Sequence, residues 1–137
     1  MKKFSILFIL ALMANLSFAQ VTATAPSNEA ATSNMAVFGW ESATHDFGKI
    51  KQGVPQTHEF KFTNTGKQPL VITNVQASCG CTTPDWSKDP IPPGGEGFIK
   101  ATYNAAAMGG FTKTVTVMAN VENGFKQLTI KGEVVQE

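Results

Sequence analysis

The sequence predicts an all-β sandwich of about seven strands, preceded by a signal peptide and a flexible tether. Two observations predict it. Beyond Ala36 no apolar stretch repeats with a helical period. Short runs instead alternate apolar and polar residues, with glycine, proline or asparagine breaking them about every 8–12 residues. In such a sandwich Cys79 and Cys81, only two positions apart, cannot tie one sheet to the other, so the core must hold by burial alone.

The leader comes first. Met1-Lys2-Lys3 is a positive head, Phe4 to Leu16 is mostly apolar, and Ser17-Phe18-Ala19 places small residues three and one positions before Gln20. This is the layout of a secretory signal peptide at residues 1–19, cleaved after Ala19. The apolar run is short for a membrane span, and no basic stop follows it. Residues 20–35, rich in Ala, Thr, Ser and Asn, read as a flexible linker, and residues 36–137 as the folded domain. No later run is long enough to cross a membrane.

Within the domain, strands fit around Val37 to Glu41 and Thr44 to Ile50. In Thr57 to Thr63, Phe60 and Phe62 share one face and Glu59, Lys61 and Thr63 the other. Thr65-Gly66-Lys67-Gln68-Pro69 is a turn, with Gly66 expected in the left-handed region. Leu70-Val71-Ile72 opens the next strand, and Thr73-Asn74-Val75 signals a bulge before Ala77. Ala77 to Pro93 reads as loop, because Ile91-Pro92-Pro93-Gly94-Gly95 cannot sit in a central strand. Phe98 to Tyr103 alternates again, and Phe111, Val115 and Val117 form an inward set. Glu122-Asn123-Gly124 is a hairpin turn, after which Leu128, Ile130 and Val134 point inward while Lys126 and Lys131 do not. The pattern describes a sandwich of immunoglobulin type, with a closed barrel as the competing closure.

Composition removes several functions. All 11 basic residues are lysine, set against 10 acidic ones. Loss of Lys2 and Lys3 with the leader leaves nine against ten, a net charge of −1. A near-neutral chain without arginine does not present the basic stripe that nucleic acid requires. There is no Gly-rich phosphate loop, no His-Glu-x-x-His and no Gly-x-Ser-x-Gly.

Phe47-Gly48-x-Ile50, Phe60-x-Phe62-x-Asn64-x-Gly66, Pro69-Leu70-x-Ile72, Ile91-Pro92-Pro93-Gly94, Tyr103 and Ile130-Lys131-Gly132 together resemble the Hydin-type (ASPM/Hydin) immunoglobulin-like domains. Ser78-Cys79-Gly80-Cys81-Thr82 is similar to a motif of an uncharacterised family of exported bacterial domains. The resemblance runs from Gly39 to Glu133 and implies an immunoglobulin-like sandwich without implying an activity. One departure is Tyr103-Asn104-Ala105, where relatives often carry aromatic–x–proline, which points to an altered strand end.

Cys79-Gly80-Cys81 is the one constellation with distinctive chemistry. Residues i and i+2 of an extended chain share a side, and Gly80 permits a tight bend. Three readings stand beside one another. The pair is an oxidised or redox-active disulfide of an exported protein. Alternatively it is a soft-metal site for copper or zinc, with His45 and His58 the available nitrogen ligands. Or it is a pair of packed, reduced thiols. His58 shares parity with Phe60 and Phe62, which puts it at the core edge, and His45 precedes a turn-like Asp46-Phe47-Gly48 where backbone hydrogen bonding accounts for it.

Trp86, with Asp85 and Lys88, is the candidate partner contact, weighed against a ring that simply covers one end of the sandwich. Asp85 and Asp89 make no convincing acid–base pair. The expectation is a non-enzymatic module, periplasmic or extracellular, with a binding or structural role at the cell envelope, without a cofactor. Its partner would be a protein or envelope component. Contact would run through loops such as Ala77 to Pro93 or through a partner strand on an exposed sheet edge. The rival is a thiol-dependent metal-binding or redox module.

Overall fold

A computed structural model describes residues 34–136. The expected signal peptide and nearly all of the linker lie outside the described residues.

Among the described residues eight strands form: β1 (Phe38–Trp40), β2 (Thr44–Lys51), β3 (Gln56–Asn64), β4 (Ile72–Ala77), β5 (Thr82–Trp86), β6 (Glu96–Tyr103), β7 (Gly109–Ala119) and β8 (Phe125–Val135). They make two separate four-stranded sheets, β1-β3-β6-β5 and β2-β8-β7-β4, so the closure is a sandwich rather than a barrel. Pairing is antiparallel except for β2, which runs parallel to β8 from Thr44 opposite Thr129 to Lys51 opposite Val135. Among the described residues no helix is long and apolar enough to cross a membrane.

The alternation read from the sequence sets the inner faces. Phe60, Phe62, Ile99, Ala101 and Tyr103 bury from the first sheet, and Phe111, Val115, Val117, Leu128, Ile130 and Val134 from the second. Tyr103 and Phe111 stack across the gap with centroids 4.0 Å apart. At the expected hairpin, Asn123 and Gly124 take φ 66° and 78°, the conformation an Asn-Gly turn supplies. The bulge in β4 is a register shift between Ile72 and Asn74, which returns Val75 to the core.

Two local expectations are corrected, and a third, the altered strand end after Tyr103, is borne out. Thr82 to Trp86 is a strand and not part of a loop. Pro84 disguises it, and proline is tolerated because β5 is an edge, paired on one side only to β6. Gly66 does not have a positive φ. It is required by close approach, since a Cβ there would lie 2.7 Å from the Val37 nitrogen and still closer to the Met35 carbonyl. At the departure from aromatic–x–proline, Ala105 is buried with φ 54°, a value that a proline ring forbids. Its carbonyl accepts from the Gly53 amide at 2.9 Å, tying the β6–β7 connection to the β2–β3 turn.

All four sheet edges are blunted. β1 has three residues, β2 shifts register between Asp46 and Lys49, β4 carries its bulge and β5 carries Pro84. Shortness, bulges and proline make an edge a poor template for a further strand. That weighs against partner-strand addition.

Candidate functional site

The two cysteines sit where the chain passes from β4, an edge of one sheet, to β5, an edge of the other. Their sulfurs are joined in a disulfide, with Cα atoms 5.3 Å apart. The backbone turn is held independently of the sulfurs. The Thr82 amide donates to the Cys79 carbonyl at 3.4 Å, and the Asn104 amide donates to the Cys81 carbonyl at 2.9 Å. On the β7 side, the Ser78 amide donates to the Thr114 carbonyl at 2.8 Å, and the Ser78 hydroxyl accepts from the Thr114 amide at 3.1 Å. A ring closed over so short a loop removes little unfolded-chain entropy, on the order of 1.5 kcal/mol, so as a staple this bond is a minor one.

The two sulfurs differ in surroundings. Cys81 packs against the core, and its Sγ lies 4.0 Å from the hydroxyl of Thr82, which is itself buried. Both cysteines are half-buried, and only Cys81 is among the side chains packed against the core. Above them Gly80 is open, for a Cβ there would meet nothing within 4 Å.

His45 and His58 meet at the opposite flank. β2 and β4 are the two outer strands of their sheet, so the histidines and the disulfide are not brought together. Among the described residues, no three of His, Cys, Asp and Glu group as metal ligands would. His45 is a β2 residue and not a turn residue, and its ring stacks on His58 of β3 with centroids 3.6 Å apart and planes 4° from parallel. Phe47 meets His45 edge-on at 4.7 Å, and Phe60 meets His58 likewise at 4.6 Å. Ring-nitrogen lone pairs lie in the ring planes, so two stacked imidazoles do not aim at a common point. The arrangement is an aromatic contact bridging the sheets. Strand parity placed His58 at the core edge correctly. Its partner on the other sheet carries no signal in a linear pattern.

This contact has a pH consequence. Burial, and secondarily the charge of His45, hold the His58 imidazole below its ordinary value of 6.5, with Glu59 opposing. Glu59 is itself engaged with Lys100 at 3.6 Å. The unfolded chain therefore binds a proton at His58 more readily than the folded one does. Stability from this source is fully present above about pH 6.5 and is lost as pH falls through the lower folded-state value. Tm is expected to fall as the pH is taken below about 6.5. His58→Phe, which keeps a ring for stacking, flattens that slope; identical slopes in the two proteins would remove the pair from the explanation.

The third site is the end of β5. Trp86 is half-buried against the core, so its ring does cover that flank of the sandwich. Lys88 Nζ sits 3.0 Å from the ring centroid and 3.7 Å from Asp85 Oδ1, while the Lys88 and Asp85 side chains stay mostly exposed. The three residues proposed from the sequence are therefore in contact with one another. They border a concavity of about 500 Å³ whose apolar walls are Trp86, Pro90, Ile91, Pro92 and Phe98. Pro90 and Pro92 fall within the Ala77 to Pro93 stretch expected to make contact, and they fix a rigid wall beside Trp86. Phe98 joined this surface without being anticipated from the sequence.

Comparison with solved structures agrees with the sandwich. A protein of unknown function from Porphyromonas gingivalis W83 superposes with a TM-score of 0.65 at 18% identity, over 74% of this chain and 48% of that one. The chain thus spans about half the length of that relative. The ASH/PapD-like domain 7 of human CEP192 matches with a TM-score of 0.56 at 8% identity, over 99% of each chain. The VesB protease of Vibrio cholerae matches with a TM-score of 0.56 at 14% identity, over 78% of this chain and 34% of that one. At such identities the likeness is one of fold. No curated protein matches the sequence. A family model does match, and it spans residues 38–134, from the first strand into the last. The chain belongs to that family, described as protein of unknown function (DUF1573).

Proposed function

We propose that the protein is an exported, non-enzymatic immunoglobulin-like module that binds a protein component of the cell envelope through the end of β5. The observation that carries the reading is the Trp86 concavity. An aromatic ring, two prolines and Phe98 wall it, and an exposed Lys88–Asp85 pair stands on its rim. An apolar centre with a polar rim is the arrangement of a protein contact surface, and tryptophan is enriched among the residues that dominate such surfaces. Blunted edges favour this mode over strand addition. The leader pattern of residues 1–19 supports export, to the periplasm or beyond.

The test uses the mature chain from residue 20, immobilised and cross-linked to envelope extracts, with binding of each captured protein then measured in purified form. Trp86→Ala is expected to weaken the specific interaction by about tenfold or more. Lys88→Ala should weaken it less, since a rim cation contributes mainly to association rate. Equal affinity of the wild type and Trp86→Ala would move the contact elsewhere. Turnover of a substrate, abolished by a loop substitution, would overturn the non-enzymatic reading.

A further inference from the structure

The Cys79–Cys81 disulfide is poorly explained as a structural staple. It closes a ring across a single intervening residue, and backbone hydrogen bonds on both sides already hold the turn. Its two sulfurs are also unequal. Both are half-buried, but only Cys81 packs against the core, with its Sγ 4.0 Å from the hydroxyl of buried Thr82, while Cys79 precedes the open Gly80. That asymmetry is what a thiol–disulfide exchange site needs. The sulfur not packed against the core is the one to be attacked, and the one packed beside the Thr82 hydroxyl leaves with a hydrogen-bond donor at hand.

We propose that Cys79–Cys81 is a reversible thiol–disulfide exchange site for a dithiol reductant, with Cys79 the attacked sulfur and Cys81 the leaving one. A thiolate of the reductant attacks Cys79 Sγ and forms a mixed disulfide. The Cys79–Cys81 bond breaks, and its electron pair leaves on Cys81 Sγ, where the Thr82 hydroxyl can donate to the new thiolate. The second thiolate of the reductant then attacks its own sulfur in the mixed disulfide and releases Cys79 as a thiolate. Both cysteine thiolates can take protons from water. The domain gains two electrons and two protons, and the reductant becomes a disulfide. The fold survives the step, because the Thr82–Cys79, Asn104–Cys81 and Ser78–Thr114 hydrogen bonds do not involve the sulfurs. The same preformed turn holds both thiols for reoxidation. Thr82 acts as a positioning residue for the leaving sulfur.

The test begins with the wild-type mature chain. Its intact mass, measured without reductant, is expected to show the loss of two hydrogens. Incubation with reduced glutathione at a temperature well below Tm, followed by iodoacetamide quenching and peptide mapping, should give glutathione on Cys79 and the alkyl group on Cys81. That isomer should exceed the reverse one by about tenfold. Dithiothreitol, a dithiol, should carry the reaction through to the free pair while circular dichroism stays native. In the single variants, glutathione disulfide should modify Cys79 of Cys81→Ser about tenfold faster than Cys81 of Cys79→Ser. The proposal fails if the bond is reduced only when the domain unfolds, or if glutathione is found equally on both sulfurs or mainly on Cys81. It also fails if the purified protein carries two thiols or a bound metal in place of the disulfide. None of these readouts depends on the Trp86 surface.

Discussion

Replacing Asn64 with alanine is expected to lower the unfolding free energy by about 3 kcal/mol or more, read as a shift in the midpoint of urea denaturation. Asn64 is fully buried at the end of β3. Its Nδ2 donates to the carbonyls of Gln68 at 2.7 Å and Ile91 at 3.0 Å, and its Oδ1 accepts from the amides of Gly66 at 3.0 Å and Val37 at 3.3 Å. One side chain therefore fastens three separate segments: the turn after β3, the proline-rich stretch before β6, and the entry into β1. Alanine leaves those four backbone groups without their side-chain partner, at about 1–3 kcal/mol for each that stays buried and unpaired. Asn64→Asp should also be severe, because it forfeits both donors and buries a charge. A loss below about 1 kcal/mol for Asn64→Ala would mean that water replaces the network.

Phe62→Ala is expected to cost about 3–5 kcal/mol, the range for truncating a buried aromatic. The ring meets Phe38 edge-on at 4.9 Å and Trp40 at 4.9 Å, so it is the anvil on which the three-residue β1 is packed. It also fills the space above Gly97, where an added Cβ would lie 2.5 Å from its Cζ. Beyond the global loss, the amides of β1 should exchange with solvent first, because among the described strands β1 pairs with β3 alone. Phe62→Leu should recover part of the stability. Unchanged protection of β1 in Phe62→Ala would show that its backbone pairing suffices.

The places where the sequence could be read, and where it could not, follow one division. β3, β6, β7 and β8 each alternate on a pleat with one wet and one dry face, and that period survives in the linear pattern. The Asn-Gly turn and the β4 bulge are equally local. What escaped is whatever depends on a distant segment. β5 has only Thr82, Pro84 and Trp86 to turn inward, and a proline there reads as a breaker until the strand is known to be an edge. Gly66 looks like a conformational glycine, although its real constraint is the chain of Met35 to Val37 lying against it. Of the site residues, Trp86, Lys88 and Asp85 were legible because they are neighbours in sequence. The stacking of His45 on His58 joins two sheets and has no local signature. Likewise the inequality of Cys79 and Cys81 comes from packing, and two identical residues on either side of a shared glycine cannot display it in sequence.

The parallel pairing of β2 with β8 bears on when the domain can form. The first long strand has its hydrogen-bond partner in the last one, with Thr44 opposite Thr129 and Ile50 opposite Val134. β2 is an outer strand, so nothing else in its sheet can hold it. A chain emerging from its amino end carries β2 unpaired until nearly the whole domain has been delivered. Closing that span before any ladder bond rewards it costs entropy, and topologies dominated by such distant pairings fold on the slow side, in about milliseconds to seconds. Completion of the fold thus waits on the arrival of the carboxyl-terminal strand. Until then β2 has no ladder partner, and its side of the second sheet stays open.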